Sequence, residues 1–378
     1  MNLPGPNETL TFYTMTQTDP FYKKATLILL GTILVVYVLF TLADILIPLA
    51  FSLLFAILLN PLYMRLRNLR VPKVLAILLT LIFATTLVGI LLYFLSTQIS
   101  QFGEMMPVLK QKFGQLLTQL QHWVETTFGV SIAKQMQLLR ETANSGKVLV
   151  GRTVSSALGI FSVMFLIPVY IFLLIFYKNL ILNFLFEAFS KENTQYVADI
   201  LQETKGAIQS YIVGLLIEAS IVAFLNATAL TLLGVQYGIL LGVIGALLNL
   251  IPYIGGVVAV LLPLLMATAT SDGYTTQLGI LGAYAAIQFL DNNILVPRIV
   301  SSKVKLNALI SILAVLAGGT LWGVAGMFLS IPFVAVLKII FDRIESLKPW
   351  GKLLGDEVPP DTAEKIALRH KPQAKVAE

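Results

Sequence analysis

Apolar runs about as long as a membrane is thick, separated by short polar breaks, dominate the chain. The first, ATLILLGTILVVYVLFTLA at 25–43, follows Lys23 and Lys24. No small-residue cleavage site comes after it, so it reads as a retained span and not as a signal peptide. Asp44 and the run 45–60 come next, and the tight turn between the two runs predicts a helical hairpin. Further spans are predicted at 74–96, 154–177 and 208–233, and another crossing at 275–295. Between the third and fourth spans, 97–153 turns polar and Gln-rich. Phe102, Met106, Leu109, Phe113, Leu116, Leu120 and Trp123 alternate there at four- and three-residue steps, the stripe of an amphipathic helix. Pro107 suits the first turn of that helix. The helix packs within its own subunit or on the membrane surface, or else serves self-association.

Two stretches break the pattern. At 237–268, YGILLGVIGALLN, LIPYIGG and VVAVLLPLLMAT follow one another; at 307–341, NALISILAVLAGG, TLWGVAG and MFLSIPFVAVLKIIF repeat the form. A 13-residue first arm makes about 20 Å of helix, against a hydrocarbon core of ~30 Å. Pro252 cannot continue the hydrogen-bond ladder, and Gly255 and Gly256 permit a sharp reversal. Gly318 and Gly319 are read as the matching tip of the second stretch.

Charge decides between one crossing and two in these stretches. Lys and Arg number two before the first span, four in 61–73, three in 178–205, three in 297–306, eight from Lys338 onward, and six in 97–153. If both stretches turn back as re-entrant hairpins and the N-terminus is inside, 20 of the 26 basic residues are cytoplasmic. Each hairpin then follows a span, and the two units have opposite orientation. Inverted repeats with broken helices are a recurring transporter plan. The predicted fold is therefore all-α and polytopic: about five full spans, an outer amphipathic segment, and two re-entrant hairpins in an inverted repeat. Its parts are a cytoplasmic tail (1–24), N-terminal spans (25–96), the outer segment (97–153), a fourth span with a cytoplasmic elbow (154–205), a transport core (206–341) and a cytoplasmic C-terminal tail (342–378).

Composition narrows the function. With 57% hydrophobic and 12% charged residues and a mean hydropathy of +0.84, the chain is not a soluble enzyme, a disordered protein or a nucleic-acid-binding module. There is no cysteine, and His122 and His370 lie outside the apolar runs, which argues against thiolate or imidazole metal sites and nucleophilic catalysis. No nucleotide-binding motif is present, so a gradient or a partner must supply any energy. No cofactor is expected.

The blocks LLNLIPYIGG at 247–256, QFLDNNILVPRIVSSKV at 288–304 and GGTLWGVAGMFLSIPFVAVLK at 318–338 resemble the AI-2E transporter family, as does ILIPLAFSLLFAILLNPLY at 45–63. The resemblance covers about residues 25–345. It implies an exporter or exchanger of the bacterial inner membrane, homo-oligomeric and pentameric, with hairpins that move in an elevator-like manner. Some members resemble exporters of autoinducer-2, a quorum-sensing signal, and others are linked to sodium–proton exchange, so the resemblance leaves the substrate open.

Between Gly206 and Pro297 the only charges are Glu218, Asp272 and Asp291. Glu218 lies mid-span, where a carboxyl is costly unless protonated, paired or facing water. It reads as a proton- or cation-linked site, or as a neutral group bonded to a neighbouring helix. Gln288, Asp291, Asn292 and Asn293 collect oxygen ligands on one stretch, suited to a polar solute or a monovalent cation. The plain alternative is helix-end capping, with Arg298 pairing Asp291. Asn249 stands beside the first tip. Asp44 is best explained as a helix-end group, and Trp322 and Trp350 as interfacial anchors. Three classes compete. A secondary transporter of a small polar solute such as autoinducer-2 is favoured, with a sodium–proton antiporter as the alternative. A channel or scaffold is a weaker reading. An enzyme is not expected, because no buried His is present for a serine or zinc protease and Glu218 and Asp291 share no two-aspartate protease motif.

Overall fold

The computed structural model describes residues 20–104, 106–137, 157–189, 194–251, 255–271, 273–300 and 306–356, and these are helices joined by short connections, without a strand. Pro252, Asp272, residues 138–156 and 301–305, and much of both tails lie outside them. By contacts the chain falls into two units, 1–43 and 44–378. The first contributes helix α1 (Phe21–Thr41), which is apolar along its length and has none of its spanning window buried. A helix made of Leu, Ile and Val that covers itself with nothing suits lipid or another chain better than water.

The second unit starts with α2 (Ala43–Asn68) and α3 (Lys73–Glu104). Asp44 sits in the first turn of α2 and Arg65 and Arg67 in its last, each opposing the helix dipole. The helix runs on through Pro61, so most of the predicted 61–73 loop is its basic C-terminal end. The amphipathic helix is α4 (Met106–Phe128). The fourth span is α5 (Ala157–Phe176), followed after a 62° bend by α6 (Lys178–Ala188). The elbow was expected to end at 205, but helix α7 runs unbroken over Thr194–Leu232. No proline interrupts those residues, so the second half of the elbow is a continuation of the fifth span.

The two interrupted stretches turn back on themselves. In the first, α8 (Gly238–Asn249) and α9 (Gly255–Thr270) lie side by side: a Cβ on Gly245 would stand 3.4 Å from that of Ala259. Both open ends, with Leu230 and Val235 before the pair and Met266 and Ala267 near its close, share one buried cluster. The second stretch carries helical hydrogen bonds from Ala308 to Arg343 (α11), but Trp322 and Gly323 leave helical geometry, Gly323 with φ 60° and ψ −141°. A Cβ on Gly318 would press on the Gly326 carbonyl group, 2.8 Å from its carbon, although eight residues of straight helix would separate the two by about 12 Å. The reversal therefore falls at Trp322–Gly323, a few residues past the expected tip. Gly318 and Gly319 instead form the seam between the arms, against Gly326 and Met327. Trp322 is part-buried against the cluster of Leu54, Tyr211 and Leu329, which is not the place of a free interfacial anchor. Trp350, on the short helix α12 (Lys348–Leu354), is 59% exposed.

Polar contacts tie the basic segments to their neighbours. Lys73 donates to the Phe176 carbonyl (2.7 Å) and lies over its ring, and Lys178 donates to Asn60 (3.2 Å). Arg343 pairs with Glu203 and Asp199. Asn307, the N-cap of α11, donates from Nδ2 to the Leu353 and Gly355 carbonyls and from its backbone N–H to the Leu354 carbonyl. The beginning of the second stretch is thus tied to the end of α12 and to Gly355, just after it. The amphipathic stripe touches elsewhere: Phe102 and Leu109 pack on the cluster formed by the open end of α8–α9, with Phe102 edge-on to Tyr237. Phe113, Leu120 and Trp123 of its stripe remain exposed.

Candidate functional site in the interior of the helical core

Helix α7 buries a single stripe: Tyr211, Glu218, Val222, Asn226 and Leu230, at steps of four and seven. The polar members therefore face protein, not lipid. Small residues let α8 close on that stripe. A Cβ on Gly242 would stand 2.6 Å from the Ala227 Cα, and one on Gly238 3.1 Å from Leu230. Such small-residue contacts are how helices approach when apolar burial gives no advantage over lipid.

Asn249, at the last residue of α8, is thereby carried to the centre. The third wall is α10 (Thr275–Leu290), which passes directly into a π-helical segment, Asp291–Val300. Single π turns mark functional sites in many helices. Here the change of winding begins at Asp291, which is 2% exposed. Asp291 Oδ2 accepts from Asn249 Nδ2 at 2.9 Å and from Gln288 Nε2 at 3.4 Å. The Glu218 carboxyl lies close enough to that of Asp291 to interact with it. Two carboxylates can only accept, so a bond between them would need a proton on one of them. Asp291 Oδ1 is buried without a hydrogen-bond partner. Glu218 itself is 5% exposed.

Sequence reasoning marked Glu218, Asn249, Gln288 and Asp291, and the fold brings these four together across α7, α8 and α10. Asn292 is exposed and reaches the group only through Gln288, at 3.3 Å. Asn293 is exposed and bonds back to the Phe289 carbonyl. Asp291 is the C-cap residue of α10, and its side chain bonds to Asn249 and Gln288, not to Arg298. Gly256 lies beside the cluster, where a Cβ would be 3.2 Å from Gln288 Oε1 and 3.5 Å from Asn249 Oδ1; Gly255 closes on the end of α8, where a Cβ would stand 2.8 Å from the Asn249 Cα. Gly318 and Gly319 lie apart from it, at the seam within α11.

Two members were missed. Asn226 (2% exposed) and Tyr284 (6% exposed) line the same cavity with Gly245, Asn249, Gln288 and Asp291, and Asn226 Oδ1 and the Tyr284 hydroxyl have no partner. Helical spacing was the available signal, since Asn226 lies two turns after Glu218 and Tyr284 one turn before Gln288. The cavity is about 10 Å³, space for one water-sized body, against ~300–1,000 Å³ for pockets that hold drug-sized ligands. No group of three or more His, Cys, Asp or Glu suited to a metal ion occurs among the described residues.

A model of the AI-2E family of transporters matches residues 27–346. The chain belongs to the AI-2E transporter family. Family relatives of full length accompany that match. The AI-2 transport protein TqsA of Escherichia coli K12 is 26% identical over 316 residues, 83% of this chain and 90% of its own. YrrI of Bacillus subtilis is 27% identical over 309 residues (78% and 85%), and YhhT of E. coli K12 is 27% identical over 331 (84% and 90%). The names of the last two class them provisionally as transport proteins, without a substrate. An AI-2E family membrane transporter, multi-pass and helical, is the class that match and fold share.

Proposed function

We propose that this protein is a proton-linked secondary transporter of a small polar solute, working in an inner membrane. The observation that carries this reading is the buried Glu218–Asp291 carboxyl pair, held between three helices and bonded to Asn249 and Gln288. Two neighbouring carboxyl groups away from water can change charge only by gaining or releasing a proton, and intramembrane carboxyls are functional by default. Gln288, Asn249 and Asn292 supply hydrogen-bond partners for a solute that enters beside the pair, while Asn293 keeps the helix end in shape.

In this reading α8–α9 and the two arms of α11 are re-entrant hairpins related by an inverted repeat, and they move with α7 and α10 as the solute-bearing body. The folded-back arms, the meeting of Asn307 with 353–355, and the absence of fixed positive charge along 206–297 support it. The segments that carry Lys73, Lys178 and Arg343 are cytoplasmic, by the positive-inside rule. The exposed stripe of α4 and the uncovered α1 support assembly into a homo-oligomer, with five copies as the family resemblance implies.

The relative named for AI-2 transport makes autoinducer-2 export one concrete form of the reading. The narrow cavity favours sodium–proton exchange as the other. Reconstitution with a trapped pH dye separates them. Proton movement driven by an autoinducer-2 gradient supports the first, and proton movement driven by a sodium gradient supports the second. Dye signals equal to empty liposomes under both gradients would refute proton linkage.

A further inference from the structure

Helix α6 leaves the fourth span at a 62° bend and buries none of its side chains. Tyr177, Leu180, Ile181 and Phe184 follow one another at steps of three and four, so they share a face. All are exposed, Leu180 by 64% and Phe184 by 65%. Leu182 and Phe186 turn the other way and are half-buried, while Asn179, Asn183 and Glu187 form a polar flank. An apolar stripe with a polar flank, on a helix that emerges from a span at a wide angle, is the form of a segment lying in the membrane surface. Such a helix sinks its stripe ~5–10 Å into the boundary between headgroups and acyl chains.

The first turn of α6 adds charge. Lys178 donates to Asn60, an uncharged partner, at 3.2 Å. Burial, and after it the positive charge of Lys205 on α7, lower the Lys178 pKa. Two ammonium groups thus act on one another here, and no carboxylate is among the groups acting on Lys178. Lys73 reaches the Phe176 carbonyl just before the bend, and Arg65 and Arg70 are exposed around the turn from α2 into α3. Glu187, the acid of α6, lies at the far end of the helix.

We propose that α6 is an interfacial helix whose apolar stripe lies in the bilayer surface and whose Lys178, with Lys205, holds the phosphate of an anionic phospholipid. Stripe and cations together select this occupant. A soluble anion would meet the ammonium groups and leave Leu180 and Phe184 bare. A zwitterionic lipid would cover the stripe and bring no net charge. An anionic phospholipid does both, with phosphate oxygens accepting from Lys178 and acyl chains beside Leu180 and Phe184.

Two measurements on the full chain test this. In nanodiscs of phosphatidylcholine and phosphatidylglycerol, spin labels on single cysteines placed at Phe184 and Asn183 report depth, since the chain has no cysteine of its own. Position 184 should favour collision with oxygen dissolved in lipid, and 183 with a water-soluble nickel reagent. A label at 184 that prefers nickel, or that meets neither because protein covers it, would overturn the proposal. The second measurement is the thermal midpoint in detergent, at constant ionic strength, titrated with phosphatidylglycerol, phosphatidylcholine or inorganic phosphate. A saturable rise with phosphatidylglycerol alone is expected. Lys178→Gln should raise the half-saturating mole fraction about tenfold, which corresponds to ~1.4 kcal/mol. Lys205→Gln, at an exposed position, should act in the same direction, and Lys112→Gln, exposed on α4, should change nothing. No rise, equal rises with the two lipids, or an unchanged response in Lys178→Gln and Lys205→Gln would overturn the proposal. So would an equal rise with inorganic phosphate, which assigns the cations to a soluble anion, or an equal loss in Lys112→Gln, which indicates charge without a site. Neither readout needs transport, so both can fail while the pH-dye signal persists.

Discussion

A few atoms decide what the core can do. Glu218→Gln keeps the size of the side chain and its capacity to donate, but removes the exchangeable proton. We expect its proton-linked flux to fall at least tenfold with a thermal midpoint near wild type; retention of the wild-type rate and pH profile in both Glu218→Gln and Asp291→Asn would remove the pair from the mechanism. Glycines allow a sharper contrast. On Gly256 an added methyl would meet the ends of flexible side chains, Gln288 Oε1 at 3.2 Å and Asn249 Oδ1 at 3.5 Å. On Gly318 it would meet the backbone of Gly326. Gly256→Ala should therefore depress transport and leave stability almost untouched. Gly318→Ala should cost about 1–3 kcal/mol, the usual range for overpacking, and lower the thermal midpoint in detergent.

Helices carry these atoms to their places by devices of their own. The stripe Gly238, Gly242 and Gly245 sets how closely α8 approaches α7, and so sets the position of Asn249. Winding changes at Asp291 from α to π, which turns the chain just where the carboxyl must face inward. Asn307 both caps α11 and ties down the end of α12. Replacing it with Ala removes a cap worth ~1 kcal/mol as well as the bonds to 353–355. The expected result is faster amide exchange across Lys348–Leu354 with little change in Gly238–Asn249; uniform exchange behaviour would show that the tie is not holding α12. Arg343, exposed and paired with Glu203 and Asp199, should matter less, and only at low salt.

At the scale of the whole molecule the proposed orientation rests on charge. Basic side chains find partners at Asn60, Phe176 and Glu203, while Phe102 of α3 and Leu109 of α4 pack on the cluster around Leu230 and Met266. Single cysteines at Gln119 and Lys352, both exposed, can be compared without background because the chain has no cysteine. An impermeant thiol reagent applied to intact cells should label position 119 and spare 352; the opposite pattern would invert the topology. Assembly has its own readout. A homo-oligomer predicts a protein mass several times 41.4 kDa in mild detergent. Polar replacements at Leu116, Leu120 and Trp123 should reduce that mass if the α4 stripe is part of the contact. A monomer with full transport activity would contradict the oligomer.

The helical class, the places where spans break and the exceptional carboxyls were all legible in the chain, because membrane insertion imposes long apolar runs and makes each buried charge stand out. Glu218 and Asp291 were visible as separate oddities. That they form a pair was not, since 73 positions separate them along the chain and only the closing of α7, α8 and α10 sets one carboxyl against the other. The same closing drew in Asn226 and Tyr284, whose uncharged side chains raise no alarm in an apolar run, and left Asn293 outside although it stands two residues from Asp291. Elbow and fifth span looked distinct because polarity changes near 206, but a backbone without proline has no reason to stop there and α7 continues. Local composition governs whether a segment enters the membrane. Which of its polar atoms meet depends on helix rotation and glycine-permitted approach, and those exist only when the helices pack.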